Sequence, residues 1–257
     1  FTLTSAPNAI AFDLRKQKIS ISGVIKGVST GSKTDGNSTT FIRAGHPTLG
    51  GIAYLQIDDL WGEGFSAANL AAHATVFLQV KRTVNQGSRR GIDVATSVVD
   101  SVTYGASAVY IGPSYSTGCT NGIRAERAQF LDISSPVTEY SGDATSIDGA
   151  LHFQSCGLTI VRNRYGEANA RNIVRHDSPI TFEGGTMYAA TAPDVVDYSA
   201  VAFESRGAVQ IGAEAIRARR IKPDDMDGQP LEIGSNLLIP LDGSSCILQD
   251  DTWHKVS

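Results

Sequence analysis

A chain of 257 residues is long enough for one large core or an elongated single domain, and 26 glycines against 9 prolines suit many short strands broken by frequent corners. The formal net charge of -4 argues against a nucleic-acid partner, which needs a basic face, and no apolar run approaches the length that crosses a membrane. Three widely spaced cysteines, Cys119, Cys156 and Cys246, make neither a disulfide framework nor a zinc site, and an opening Phe-Thr-Leu-Thr without a signal peptide reads as a processed piece or a fragment.

Taken in order, residues 19–28 alternate apolar with polar and are broken at Gly23, which predicts an early pair of strands. Residues 29–40 predict a polar excursion with a turn at Asp35, Gly36 and Asn37. Strands follow at 41–44 and 52–57. The alanines and Leu70 of 65–74 then favour a short helix, an insertion on an otherwise stranded body. Strands return at 75–80, 91–94, 98–102, 107–111, 122–125 and 128–133, before a second polar excursion at 134–148.

Residues 149–212 carry one pattern three times: an alternating pair (Leu151/Phe153, Ile180/Phe182, Val201/Phe203), a small or polar corner, and a second pair (Leu158/Ile160, Met187/Ala189, Val209/Ile211). Period-2 alternation puts the two members of each pair on one face, so the pattern reads strand, tight corner, strand. Stacked as coils, the three copies bring Phe153, Phe182 and Phe203 together inside and Gln154, Glu183 and Glu204 together outside. A β-sandwich or barrel with similar hairpins produces the same pattern. The strongest break is Lys222 to Pro230, which divides a body at 1–227 from a segment at 228–257 read as a cap or trimer contact, since an open stack end must be covered.

The run Leu151-His-Phe-Gln-Ser-Cys-Gly-Leu-Thr-Ile, with its relatives beginning at Ile180 and Val201, resembles the right-handed β-helix body of bacteriophage tailspikes, a pectate-lyase-like fold. The expected architecture is therefore an all-β, right-handed parallel β-helix (solenoid) with the short helical insertion and the C-terminal cap. The resemblance implies an extracellular homotrimer of the virion tail that binds bacterial surface polysaccharide, capsule or lipopolysaccharide O-chain, and often cuts it. No family catalytic residue maps onto this sequence.

Glycoside hydrolysis needs two carboxyl groups, about 5–5.5 Å apart for retention or about 6.5–9.5 Å for inversion. Glu183 and Glu204, each following a phenylalanine, are the first candidate pair, with Asp177 near the same face. Asp132 and Asp148, flanking the 134–148 excursion, form a second, with His152 outward on the next strand. The bland reading makes each of these a solvated outer residue. A lyase or epimerase would draw instead on the basic run Arg162, Arg164, Arg171 and Arg175 with His176 and Tyr165. A non-catalytic adhesin needs only aromatic platforms, for which Trp61, Tyr104, Tyr110, Tyr115 and Tyr165 are available; Trp61 equally suits a packing role. No phosphate-binding glycine loop, zinc helix or nucleophile elbow is present, and Asp224-Asp-Met-Asp lacks the periodic acids of a calcium loop, so no cofactor or metal is expected.

Overall fold

The computed structural model describes residues 1–143, 149–170, 173–176, 178–187, 195–197, 203–211, 216–218, 245–249 and 252–256. The first large sheet is eleven-stranded and contains β1 (Thr2–Leu3), β3 (Lys18–Ser29), β5 (Tyr54–Glu63), β7 (Phe77–Gln86), β11 (Ala108–Ile111), β12 (Ser114–Thr117), β14 (Phe130–Ser134), β15 (Pro136–Glu139), β17 (Leu158–Glu167), β19 (Ile180–Met187) and β21 (Phe203–Ile211). The second is nine-stranded and contains β2 (Ile10–Leu14), β4 (Thr40–Ala44), β6 (Ala68–His73), β8 (Arg90–Ala95), β13 (Asn121–Glu126), β16 (Leu151–Gln154), β18 (Ile173–His176), β20 (Val195–Asp197) and β22 (Ile216–Ala218). Two antiparallel pairs stand apart, β9 (Ser97–Val99) with β10 (Val102–Tyr104), and β23 (Ser245–Gln249) with β24 (Thr252–Val256).

Within both large sheets every pairing is parallel, and the chain passes from one sheet to the other and back. Each circuit therefore adds one position to each sheet. The first sheet also turns a corner. In β7, Leu78 and Val80 point inward, Lys81 and Arg82 are both exposed, and the inward phase resumes at Thr83 and Asn85. The short strands β11 and β12 pair with the two halves of β7, which marks the corner as a break between two limbs.

The first limb and the second sheet bury apolar columns. Leu55, Leu78, Val109 and Leu131 stack in one, and Ile42, Leu70, Ile92, Ile123, Leu151 and Ile173 in another, all nearly inaccessible. Burial of such side chains contributes about 1.5–3 kcal/mol each. The second limb is lined differently. Its inward positions include Thr83, Asn85, Ser114, Ser116 and Thr138, and the buried Asn69 lies against it. Asn69 donates from Nδ2 to the Gly62 carbonyl (3.1 Å) and to Asn85 Oδ1 (2.9 Å), and accepts from Ser88 Oγ (2.7 Å). Asn85 donates onward to Ser116 Oγ (3.1 Å), while Asn169 donates to the Thr138 carbonyl (2.9 Å) and Oγ1 (3.0 Å). Inward polar groups survive because they satisfy one another.

Where the second limb hands over to the second sheet, Gly64, Gly87, Gly118, Tyr140 and Ala168 all have left-handed φ, between 48° and 76°. One residue per circuit thus makes the same sharp exit. The predicted turn at Asp35 is present, with the Asn37 amide donating to Asp35 Oδ1 (2.9 Å) and Gly36 at φ 71°. From this excursion Lys33 reaches across the stack and donates to the Gly118 carbonyl (2.6 Å), 85 residues downstream.

Three expectations are corrected. Residues 65–74 contain no helix. Ala68–His73 is β6, hydrogen-bonded between β4 and β8, and no helix occurs among the described residues. Alanine's helix preference is worth only tenths of a kcal/mol per residue over other side chains. Two flanking strands and the complete burial of Leu70 outweigh it, and the small side chains fit opposite Ala44 and Val94. Second, a right-handed solenoid with helical insertion and cap is not what is observed: the described body is an all-β arrangement of two open parallel sheets, neither closed into a barrel. Of the segment 228–257 only the β23–β24 hairpin is described. Third, the three phenylalanines do not share a column. Phe153 pairs with Ala125 and Arg175 in the second sheet, whereas Phe182 pairs with Val161 and Ser205, and Phe203 with Ile180, in the first. Each circuit contains several inward-alternating segments of the same local pattern, so similar sequence recurs on different sides.

Candidate functional site

The outer faces of the two limbs both carry aromatic residues, arranged in opposite ways. On the first limb Tyr54, Phe77, Tyr110 and Phe130 pack directly on one another, with ring centroids 5.0, 5.5 and 5.6 Å apart. The Tyr54 and Phe77 rings are nearly parallel, 3° between planes, and stacked, so each covers the other's face. On the second limb the register aligns Lys26, Trp61, Val84, Tyr115, Val137 and Tyr165 in one outward column. Here aromatic and valine positions alternate, which separates successive rings by two strand spacings, roughly 9.6 Å. Trp61 and Tyr115 are each 37% exposed, and the Lys26 ammonium sits 3.9 Å from the Trp61 ring centroid.

Two residues further along each strand the same face presents Glu63, Gln86, Thr117, Glu139 and Glu167 in register. Glu139 and Glu167 are direct partners on adjacent strands, at the roughly 4.8 Å spacing of a parallel ladder. Each accepts from a tyrosine: Tyr115 Oη donates to Glu139 Oε2 (2.8 Å), and Tyr165 Oη donates to Glu167. The Glu139 carboxylate pushes the Tyr115 phenol above its ordinary pKa. This face thus combines ring platforms at alternate circuits with paired carboxylates held by phenols.

Of the residues singled out in the sequence, Trp61, Tyr115 and Tyr165 fall together in this column, and Tyr110 joins the stack on the first limb. Tyr104 does neither; it ends the β9–β10 hairpin and is half exposed. Glu183 and Glu204 are not register partners. Glu183 stands opposite Arg162 and Arg206, and Glu204 opposite Thr181. Arg162 Nε donates to Glu183 (2.7 Å) and Nη1 to Asp132, so Asp132 and Glu183 meet through one guanidinium on the outer side of the first limb. Asp148 and Asp177 lie outside the described residues. His152 is buried on the second sheet, in register with Arg124 and Val174. Arg175 and His176 end β18, opposite Phe153 and Gln154.

Of the basic run, Arg171 lies outside the described residues, and Arg162 and Arg164 do not line one groove. Arg164 is inside, 2% exposed, with Nη2 at 3.5 Å from Thr138 Oγ1, while Arg162 is engaged by two carboxylates. A second charged cluster on the second sheet joins Arg90 (2.8 Å) and Arg124 (2.9 Å) to Asp93, with Arg124 also bound to Glu126. Burial disfavours the Asp93 charge, and the two guanidiniums more than offset this, leaving its pKa below the ordinary value. Among the described residues no group of three His, Cys, Asp or Glu is placed to hold a metal ion, and no helix is long and apolar enough to cross a membrane.

The sequence reading missed Glu63, Glu139 and Glu167. A signal was available: Trp61-Gly62-Glu63 and Tyr165-Gly166-Glu167 repeat aromatic, glycine, glutamate, which on a strand places ring and acid on one face. Comparison of the chain with protein-family models, curated proteins and solved structures finds no match.

Proposed function

We propose that this chain is a tailspike-like receptor-binding protein of a phage tail that recognises bacterial surface polysaccharide along the outer face of its second limb. The observation that carries the reading is the outward column Trp61, Tyr115 and Tyr165 beside the carboxylates Glu63, Glu139 and Glu167. Sugar rings present apolar C–H faces that stack on aromatic rings and hydroxyls that bond to carboxylates, and both kinds of group recur here along one line.

Cleavage by hydrolysis rests on Glu139 and Glu167. Adjacent strands hold their backbones at the separation that suits a nucleophile and an acid, the retaining geometry, better than the wider gap that admits a water between them. In that scheme one carboxylate attacks the anomeric carbon, the other in its acid form protonates the departing oxygen, and water then releases the sugar. Homotrimeric assembly would use the apolar strip of the first limb, where Leu158 continues the line of Phe77 and Phe130.

Incubation with capsular and lipopolysaccharide chains, followed by mass spectrometry of the fragments and affinity electrophoresis, tests the reading. Binding that is lost in Trp61→Ala, with saturated new reducing ends that vanish in Glu139→Gln or Glu167→Gln, supports recognition and hydrolysis. Binding without fragments leaves an adhesin and removes the catalytic role. Unsaturated ends assign a lyase instead, and absence of binding to every chain defeats the proposal.

A further inference from the structure

Resting on that reading, we infer that the polysaccharide accepted by this face is free of acidic groups, and that free amino groups on its sugars add to its affinity. The charge of the face carries the inference. Its two outward columns hold three carboxylates, Glu63, Glu139 and Glu167, against one cation, Lys26, which already lies over the Trp61 ring; a second ammonium, Lys33, borders them, bonded to the Gly118 carbonyl one residue past Thr117, and still leaves carboxylates in excess. The nearest further cation toward the corner, Arg82, is spent on Asp59, with Nε to Oδ1 at 2.5 Å and Nη2 to Oδ2 at 2.7 Å. The arginines that would receive a uronic acid or a phosphate are elsewhere: Arg164 is buried, and Arg162 is held between Asp132 and Glu183 on the other limb.

The carboxylates are also not neutralised by the groups that bind them. Tyr115 and Tyr165 supply uncharged phenol donors, which fix the orientation of Glu139 and Glu167 and leave their negative charge facing outward. An acidic chain laid along the rings would meet this charge at close range, whereas an ammonium would be attracted to it. The ring spacing adds a length requirement. Platforms at every second strand, roughly 9.6 Å apart, match the advance of two linked pyranose rings, so each stacking contact is made once per disaccharide.

Affinity electrophoresis of the full chain through gels containing chitosan, dextran or alginate distinguishes the possibilities. Retardation is expected with chitosan, which carries amines, and more weakly with neutral dextran, and none is expected with acidic alginate. The double variant Glu139→Gln, Glu167→Gln keeps the size of both side chains, removes both charges and turns one acceptor of each into an amide donor. It should weaken chitosan retardation by roughly two- to fivefold, the range of an exposed charge contact, and weaken dextran retardation less, so that the preference for chitosan narrows. Alginate retardation equal to or stronger than that of chitosan overturns the inference while leaving the polysaccharide reading intact. If Trp61→Ala retains full retardation in every gel, or no gel retards the native chain, the underlying reading fails.

Discussion

Gly62 and Asn69 form the contact most open to a quantitative test. A Cβ added at Gly62 would stand 2.2 Å from Asn69 Cγ and 2.5 Å from its Oδ1, because the amide crosses the interior to bond the Gly62 carbonyl. Gly62→Ala should therefore cost about 1–3 kcal/mol by overpacking. Asn69→Ala should cost about 1–3 kcal/mol by another route, since it deprives the Gly62 carbonyl of a donor and removes bonds to Asn85 and Ser88. Asn85 still accepts from Thr83 Oγ1 and Ser88 still donates to the Gln86 carbonyl, which keeps the loss below three full bonds. With both changes the contacts at 2.2 and 2.5 Å disappear, while the one with the Asn69 Cβ, 2.6 Å, remains because alanine keeps that atom. The double variant should then lose less than the sum of the two single changes and still be less stable than Asn69→Ala, a coupling on the order of 1 kcal/mol. Urea unfolding followed by circular dichroism measures all four corners of the cycle. Additive losses would refute the steric argument. Gly91→Ala provides a contrast, because its Cβ meets the Gly122 carbonyl at 2.4 Å as well as Asn85, and trimming a side chain cannot relieve a clash with backbone.

Phe41→Ala should destabilise by about 3–5 kcal/mol, since the ring is wholly buried and packs on Phe65 and Phe12 at centroid distances of 5.4 and 5.6 Å; a loss under 1 kcal/mol in the same urea assay would mean the stack is not where the core lies. Burial pushes the Cys119 thiol from 9.0 up to about 11, so its stabilisation is complete below pH 9 and is lost as pH rises toward 11. Thermal melts across that window should fall less steeply for Cys119→Ala than for the native chain, and parallel curves would contradict this. Hydrogen bonds from the Ser5 hydroxyl and the Asn37 amide hold Asp35 down to about 2, so the tie from Ser5 to the 29–40 excursion persists above pH 3.8 and loosens as pH falls toward 2. Limited pepsin digestion should cut this region earlier in Asp35→Asn than in the native chain at pH 3.8, and equal cutting would oppose the assignment.

Strand alternation made the all-β body legible, because Leu151/Phe153 and Ile180/Phe182 do lie on strands of parallel sheets. Which strands become neighbours was not legible. The first sheet bends at positions such as Lys81 and Arg82, and the inward phase slips by one residue there, so a hydropathy pattern read straight through β7 assigns Thr83 and Asn85 to the solvent side. Asn85 is interior because Asn69 and Ser116 satisfy its amide, and Thr83 because its hydroxyl donates to Asn85, so the burial depends on neighbours distant in sequence. The same slip hid the candidate face. Glu139 and Glu167 lie at the ends of the second limb, far from the phenylalanines that drew attention to Glu183 and Glu204. Alanine content misled at β6 for a related reason, since propensity is local and the two strands that flank Ala68–His73 are not.

The reach of Lys33 to Gly118 bears on how such a molecule comes apart. A pile of circuits that touch only their immediate neighbours peels from its ends, one layer at a time, because nothing beyond the next layer resists. The Lys33 ammonium skips the layers that end at Gly64 and Gly87 and fastens to the one that ends at Gly118. Peeling from this end must release that grip with the first layer, so the outermost step costs more than the contacts to the next layer alone. Hydrogen exchange should report faster opening of the β3 amides in Lys33→Ala than in the native chain, with the amides of later layers unchanged.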